Sequence, residues 1–491
     1  MVVRHARHLS ASIAVLLLAG CTVGPNYKLP RSSAINNPAA QAAFLSDDKA
    51  TQIANPPDNW WHLYDSPTLD TLVQRAFTAN TSLRVAQANL ENAYALLAAA
   101  KAGREADVTT SDSTDYGQRS AQAVLSKIPS AQLERYNVGI TVSYDADLFG
   151  GIRRGIEAAN DDSQAAAAAR DLVMVSVAAE TTRAYADICD SGNSLAALRH
   201  AVALQNQSLA FARLMHENGR ATSFDVVGQE AQVETLQSQI PLLQAKQMNA
   251  AYRLTTLMGE PPEAYDPAWL TCQQPLVLRT PLPVGDGKSL LNRRPDVREA
   301  ERHLAAATAR VGQAEAKLYP DFKLGGAVGS TGAAFDAFAP VTNLFNLGPS
   351  VSWDLNQSVI RAHIAQAKAQ VKARQAAFDG TVLAALQETQ SAITSYDFEL
   401  DQIASLNDAR SFAAQVASNI TELYRGGRVG ALAQLSAEQK LAMADIAVAN
   451  AQTEISQSQI ALFYALGGGW GASTSGNTTS SVPLNSTPTA P

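Results

Sequence analysis

The chain is poor in cysteine, which occurs three times in 491 residues. This number excludes a small secreted scaffold that is held together by many disulfides. Cys21 follows an N-terminal leader, so only Cys189 and Cys272 lie in the body of the chain. An oxidising compartment would allow these two residues to pair, but the sequence alone cannot show that they are close in space.

Basic charge is also scarce, because 38 Lys and Arg residues stand against 45 Asp and Glu residues, for a net charge of −7. The chain has no basic stripe, which excludes a nucleic-acid interface. The seven histidines show no metal-ligand spacing, and we predict no metal site, no cofactor and no catalytic site. We expect solvated helix positions for His200, His216, His303 and His363 and a solvated face at Asp161-Asp162.

Long apolar runs are missing after residue 20, so the sequence predicts no transmembrane helix. Residues 1–20 combine basic residues with a short apolar run, which is typical of a secretory signal peptide. The run ends in Leu18-Ala19-Gly20-Cys21, which matches the cleavage box of bacterial lipoproteins. We therefore predict that Cys21 carries a covalent lipid. Thr22 follows it in place of aspartate, which favours the outer membrane over the inner membrane.

Proline is absent from 152–240 and from 360–467, and both stretches are rich in helix-forming Ala, Gln, Leu and Glu. Residues 360–467 are a copy of residues 152–259, since a shift of 208 positions, which separates Ile152 from Ile360, aligns them without a gap. Each copy is predicted to be a long helix, a glycine turn and a second helix. The first long helix, Ile152 to about Glu217, would be roughly 100 Å long. Such a repeat determines the architecture of the whole chain.

Two stretches that precede the long helices alternate strictly between apolar and small polar residues, Tyr136 to Tyr144 and Leu347 to Trp353. This period indicates half-buried strands and is typical of transmembrane barrels, although an ordinary soluble hairpin would give the same pattern. We predict β-hairpins at about 105–148 and 320–355, the first of which begins with a strand at roughly Glu105 to Thr114. Four strands cannot close a barrel, and an open sheet edge cannot face lipid. A membrane location would therefore require an oligomer, and three protomers would supply twelve strands.

These features predict a mainly α-helical chain with a membrane β part, built from two tandem repeats of helix, β-hairpin, long helix and helix. The segments are a signal peptide at 1–20, a lipidated N-terminal arm at 21–65, a first repeat at 66–259, a connecting segment at 260–293, a second repeat at 294–470 and a tail at 471–491. The tail consists mostly of small and polar residues and carries no charge, which predicts disorder.

Three short motifs point to a family. They are CTVGPNYKLP from Cys21 to Pro30, RPDVR from Arg294 to Arg298, and LGGGW from Leu466 to Trp470. Together they resemble the motifs of TolC-like outer-membrane factors, and among these the NodT-type efflux lipoproteins of RND tripartite pumps. The resemblance implies a trimer with a shared 12-strand β-barrel in the outer membrane and an α-helical barrel in the periplasm.

The resemblance also implies roles for the two glycine turns. They would be the periplasmic tips that contact a periplasmic adaptor (membrane fusion) protein, through Gly219, Arg220, Gly427, Arg428, Val429 and Gly430. Just beyond the second turn, Leu432 corresponds to a hydrophobic gate. The acidic residue of related gates is Ser436 here, which leaves Asp225 of the first repeat as the candidate for a charge nearby.

The implied function is the passive exit duct of a tripartite RND-type efflux pump that exports small molecules, such as drugs, toxic compounds or metals, across the outer membrane. The expected partners are two further copies of the chain, the adaptor, an inner-membrane RND transporter and outer-membrane lipid. Two alternatives remain open. One is the outer-membrane duct of a type I secretion system, and the other is a structural coiled-coil envelope lipoprotein, which would need no strands.

Overall fold

The computed structural model describes residues 22–45 and 51–468, with gaps at 119, 121, 123–126, 129–131, 277 and 279–280. The predicted signal peptide, the predicted lipid anchor Cys21 and the predicted tail lie outside the described residues.

The described residues form ten α-helices and six strands. The helices are α1 (Pro38–Gln41), α2 (Pro67–Ala79), α3 (Thr81–Ala102), α4 (Gly151–Glu217), α5 (Ser223–Gln237), α6 (Ile240–Leu257), α7 (Gly287–Arg293), α8 (Pro295–Ala316), α9 (Ser358–Arg425) and α10 (Ala431–Ala465). The strands are β1 (Thr51–Gln52), β2 (Asp107–Gly117), β3 (Leu133–Asp145), β4 (Leu282–Pro283), β5 (Asp321–Ala333) and β6 (Asn343–Ser352). Within this part of the chain no helix is both long enough and apolar enough to cross a membrane.

The two long helices, α4 with 67 residues and α9 with 68 residues, are uninterrupted. Their continuity follows from the absence of proline, because proline removes a backbone donor and clashes with the preceding turn. The long helix α4 begins at Gly151, one residue before the predicted start at Ile152.

The prediction of one continuous second helix in each repeat is wrong for the first repeat. That helix is divided into α5 and α6 at Ser238-Gln239, because Pro241 has no N–H to donate to a carbonyl four residues earlier. A shift of 208 positions places Ala449 at the corresponding point of the second repeat. There α10 runs through 35 residues without a break.

Both predicted hairpins are present, and they join into one antiparallel sheet in the order β2-β3-β5-β6. The second strand of the first hairpin pairs with the first strand of the second hairpin, for example Val142 with Gly326. β2 extends to Gly117, three residues beyond the predicted end at Thr114. The alternative of a strand-free coiled-coil lipoprotein does not agree with this sheet.

The N-terminal arm is partly helical. It contains a short 3-10 helix at Ala34–Asn36 and the helix α1. Its β1 strand pairs in parallel with β4 of the connecting segment, with Thr51 opposite Leu282. Backbone pairing with a distant segment cannot be read from the composition of the arm.

The contacts divide the chain into two compact units. The first unit consists of the described residues within 1–33, 87–168 and 297–381 and contains the four-stranded sheet. The second consists of those within 34–86, 169–296 and 382–491 and has its own apolar core. In that core the ring of Trp60 stacks on Phe463 at a centroid distance of 4.6 Å.

A disulfide joins Cys189 of α4 to Cys272 of the connecting segment within the second unit. The backbone also comes close at this point, since a Cβ added to Gly192 would lie 2.0 Å from the carbonyl oxygen of Cys272. The disulfide therefore fixes the connecting segment on the long helix, and it resolves the pairing that the sequence left open.

Candidate functional site

The first glycine turn ends α4 with Gly219 in the left-handed conformation, at a φ of +68°. The N–H of Gly219 donates to the carbonyl of His216 at 2.9 Å, and the N–H of Arg220 donates to the carbonyl of Met215 at 2.8 Å. This pair of hydrogen bonds is the Schellman motif, which satisfies carbonyls at a helix C-terminus. The Arg220 side chain is left exposed.

The second turn has the same geometry 208 residues later. Gly427 has a φ of +68°, its N–H donates to Tyr424 at 2.9 Å, and the N–H of Arg428 donates to Leu423 at 2.8 Å. Arg428 is exposed, as is its counterpart in the first turn. The repeat has therefore conserved the same backbone and an exposed arginine at both turns, which is a suitable frame for presenting a charge to a partner.

The two turns differ in the residues that start the following helix. In the first, Thr222 and Asp225 form a capping box, in which the carboxylate of Asp225 accepts from the N–H and the hydroxyl of Thr222, each at 2.7 Å. These hydrogen bonds hold the pKa of Asp225 below its usual range. In the second, Gly430 occupies the cap position without a side chain, and Val429 beside it is half-buried. Asp225 thus has a structural role at its own helix start.

Two large apolar residues are exposed just beyond the turns. Leu432, the predicted gate residue, is 59% exposed, and Phe224 is 86% exposed. Phe224 stands 208 positions before Leu432, so the repeat itself could have identified it. Ser436 is half-buried on the same helix as Leu432, and its counterpart in the first repeat is Gly228.

The four-stranded sheet has one apolar face. Residues that pair across strands share a face, and the register places the following apolar residues together: Tyr136, Val138, Ile140, Val142, Tyr144, Leu324, Val328, Phe345, Leu347 and Val351. The opposite face is mainly polar or small and includes Asn137, Thr141, Ser143, Thr331, Asn346 and Ser350. β2 departs from this pattern, because Asp112 falls on the apolar face opposite Val138.

The start of the described chain is held against the first unit by Arg154, which is 3% exposed. Its guanidinium donates to the carbonyl oxygens of Val23 and Gly24, each at 3.1 Å, and to the side-chain oxygen of Asn26 at 2.8 Å. A Cβ on Gly312 would lie 2.8 Å from Nε of Arg154, so any larger residue there would displace the guanidinium. Arg154 therefore fixes the residues that directly follow the predicted lipid anchor, a role that no pattern in the sequence indicates.

The expectation of a solvated face at Asp161-Asp162 is wrong. Asp161 is buried and contacts Arg302 at 3.5 Å, while Asp162 pairs with Arg310 and lies 3.7 Å from His303. Hydrogen bonds to Asp162 and then to Glu299 raise the pKa of His303 to about 9, so His303 is also not a simply solvated position. In the described part of the chain, no group of three or more His, Cys, Asp or Glu residues is arranged to hold a metal ion.

Comparisons with known proteins agree with this geometry. The family model described as "Outer membrane efflux protein" matches residues 72–260 and 287–468. The chain is 26% identical to nodulation protein T of Rhizobium leguminosarum bv. trifolii, over 93% of this chain and 96% of that protein. It is 28% identical to the pyoverdine export outer membrane protein OpmQ of Pseudomonas aeruginosa, over 94% of this chain and 97% of that protein. The solved outer-membrane channel OprN superposes with a TM-score of 0.82 at 32% identity, covering 92% of this chain and all of that one.

Proposed function

The chain belongs to the outer membrane efflux protein family, and from that premise we propose that it is the outer-membrane exit duct of a tripartite RND-type efflux pump. Three copies would form a shared 12-strand barrel and a barrel of α-helices. The duct would pass small molecules outward without making or breaking a bond, with energy supplied by an inner-membrane transporter. The relatives whose names refer to pyoverdine export and toluene efflux support a small-molecule cargo.

The observation that carries this proposal is the sheet with one apolar face and two strands, β2 and β6, that lack an outer neighbour among the described residues. An apolar face opposite a polar face suits a wall between lipid and water. Open edges cannot remain in lipid, because every backbone N–H and C=O there needs a partner. Further copies of the chain would supply these partners.

The two turns are proposed as the contacts to the periplasmic adaptor. Arg220 and Arg428 present their charges on identical backbone frames, so one adaptor surface could recognise both. Leu432 is proposed to form an apolar ring that closes the duct by dewetting. Phe224 would occupy the corresponding place on the first repeat.

The proposal is tested by reconstitution of the purified protein in planar bilayers together with measurement of its mass in detergent. We expect a trimer that forms channels. Leu432→Ala should have a higher single-channel conductance, because the smaller alanine side chains leave a wider and wetter opening. Leu242→Ala, an exposed leucine of α6 outside both turns, is the matched control and should leave conductance unchanged. A stable monomer without channel activity would overturn the proposed function, and equal conductance of all three proteins would place the gate elsewhere.

Cys21 is proposed as the lipid anchor, since Thr22 and Val23 directly beside it contact the segment that joins β3 to α4. The N–H of Val23 donates to the carbonyl of Phe149 at 3.2 Å, and a Cβ on Gly150 would meet Thr22 at 2.7 Å. Cells that express Cys21→Ser should incorporate no labelled palmitate into the protein, whereas Cys272→Ser should be labelled as the wild type is. Equal labelling of Cys21→Ser would refute the anchor.

A further inference from the structure

The loop between β5 and β6, residues 334–342, lies on the apolar face of the sheet. Gly332 is paired with Tyr136, so a side chain at position 332 would project from that face. A Cβ there would lie 2.6 Å from Cγ2 of Thr342, which is closer than non-bonded carbons approach. Thr342 therefore covers Gly332, and the chain crosses the apolar rather than the polar side of the sheet as it turns into β6.

Buried hydroxyl groups hold this loop in place. The Tyr136 hydroxyl lies 2.6 Å from Oγ of Ser330, donates to Oγ1 of Thr342 at 2.9 Å and accepts from the N–H of Phe338 at 2.8 Å. Since Tyr136, Ser330 and Thr342 are all buried, these partners satisfy groups that would otherwise be costly to remove from water. The loop is thus fixed to the sheet at several points.

The outer surface of the loop is apolar. Phe335 is 75% exposed and Val341 is 86% exposed, and Phe338 is also exposed between them. Asp336 is the only charged residue of the loop. Phe338 has a φ of +61°, an uncommon conformation for a bulky side chain, and its N–H bond to Tyr136 fixes the backbone at this residue. Apolar side chains so exposed and so close together indicate a surface that is covered in use.

The position of the loop along the strand matches one boundary of a membrane. Tyr136 and Tyr144 lie on the apolar face of β3 and are separated by about 27 Å along the strand at ~3.4 Å per residue. The apolar band of outer-membrane barrels is about 25 Å tall and is bordered by aromatic residues at both interfaces. Tyr144 and Trp353 stand at the end of the sheet that leads into the long helices, so the loop stands at the other boundary.

We propose that residues 334–342 form a lipid contact, in which Phe335, Phe338 and Val341 insert at the boundary between headgroups and acyl chains of the outer leaflet. Lipid is favoured as the occupant because the loop continues the apolar face of the sheet and carries one charge. This inference rests on the proposed function, since it requires that the apolar face contacts lipid. The contact adds an apolar collar outside the strands, at the level where backbone pairing ends.

Site-directed spin labels in proteoliposomes test the proposal. Cys189 and Cys272 are paired and Cys21 is the proposed lipid anchor, so an introduced cysteine is the thiol available for labelling. Phe335→Cys and Val341→Cys are compared with Leu347→Cys on the apolar face of β6 and with Arg220→Cys at the first turn, where the side chain is exposed. The measured quantity is the ratio of collision rates with dissolved oxygen, which enters lipid, and with a water-soluble nickel chelate.

We expect ratios for positions 335 and 341 that lie well above that of position 220 and approach that of position 347. Ratios equal to that of position 220, with a high ratio at position 347, would overturn the lipid contact and leave the proposed function intact. A low ratio at position 347 as well would overturn the lipid-facing sheet, and with it the proposed function. Tyr136→Phe provides a second measurement, because loss of its hydroxyl should increase the mobility of the label at position 341 and not at position 347.

Discussion

Arg154 shows how one side chain can position a much larger group. It donates to the backbone carbonyls of Val23 and Gly24 and to the side chain of Asn26, and these residues follow the proposed lipid anchor. Gly24 has a φ of +88°, and a Cβ there would lie 2.3 Å from the Cα of Gly312. Glycine at position 24 therefore allows its backbone to approach that of Gly312 closely, and Arg154 lies beside this contact.

Arg154→Gln should release the start of the arm, because the shorter amide cannot reach the same carbonyls. We expect a loss of about 1–3 kcal/mol for acceptors left without their charged partner. Trypsin should cut faster after Lys28 and Arg31, which can be followed as loss of the labelled lipid from the intact protein. Arg183→Gln is the matched control, since that side chain pairs with Glu180 on the same helix. Equal cleavage rates in the two variants would contradict the role of Arg154.

Asp190 is a buried acid in the core of the second unit and is 1% exposed. Its Oδ1 accepts a long hydrogen bond of 3.5 Å from Ser456, and its Oδ2 has no hydrogen-bond partner among the described residues. Burial, with a further contribution from the charge of Asp187, raises the pKa of Asp190 to about 8. Lys246 opposes the shift, and Tyr64 also faces the group.

The sign of the resulting pH dependence follows from the raised pKa. The folded protein keeps the proton of Asp190 up to about pH 8, whereas the unfolded chain releases it near its ordinary pKa of about 3.9. The stability that this group contributes is therefore present at low pH and is lost as pH rises through 8. Asp190→Asn should raise the melting temperature more at pH 9 than at pH 5, as measured by circular dichroism in detergent. A pH-independent difference would show that Asp190 is not protonated in the folded state, and the exposed Asp408→Asn is the control for the substitution itself.

At the scale of elements, the two Schellman turns define where the helices end. Gly219→Ala and Gly427→Ala should each cost about 1–2 kcal/mol, because the left-handed conformation brings Cβ too close to the following carbonyl. A Cβ at either position meets no atom of the described residues within 4 Å, so backbone strain alone is measured. Gly228→Ala is the control, since this glycine lies inside α5 with equally open space and should gain up to about 1 kcal/mol. Thermal unfolding measures the stability of the turn variants and of the control. A gain in stability for Gly219→Ala would contradict backbone strain at the turn.

The elements also show what the sequence could and could not predict. Proline-free composition located the long helix at Ile152–Glu217, because propensity acts locally. The end of β2 was misplaced, since Asp112 and its neighbours are polar on both faces and leave no alternation to follow. The pairing of Asp162 with His303 and of Cys189 with Cys272 depends on segments that are distant in sequence, which no local pattern encodes. Phe224 was missed although the shift of 208 positions makes it the counterpart of Leu432 in the first repeat.

At the scale of the whole molecule, the two repeats are related by different shifts in different elements. The long helices align with a shift of 208, whereas Tyr144 and Trp353 at the strand ends align with a shift of 209. The first strands of the hairpins align with a shift of 214, from Asp107 to Asp321. With these shifts, each strand residue of one copy has a counterpart in the other copy that lies on the same face of the sheet.

The pairing of β3 with β5 predicts how neighbouring protomers would meet. Inside the chain Val142 is opposite Gly326, and the shifts of 209 and 214 convert this pair into Val351 of one protomer and Asp112 of the next. Val351→Cys combined with Asp112→Cys should therefore form a disulfide between protomers, seen as a ladder on a non-reducing gel. Val351→Cys with Ser113→Cys is the control, because a slip of one residue moves the thiol to the other face. Cross-linking of the control alone would refute this register.

The pairing of β3 with β5 inside the chain thus has the same form as the proposed pairing of β6 with β2 between protomers. A ring of three chains would contain six such junctions in nearly equivalent positions. This pseudo-sixfold symmetry is what fusion of a duplicated half-length ancestor would leave. Three of the six junctions are then closed within a polypeptide before any molecules meet. Each separate molecule that joins an assembly loses translational and rotational freedom, so a chain of two copies would assemble from three bodies with a smaller entropic loss than six half-chains would suffer.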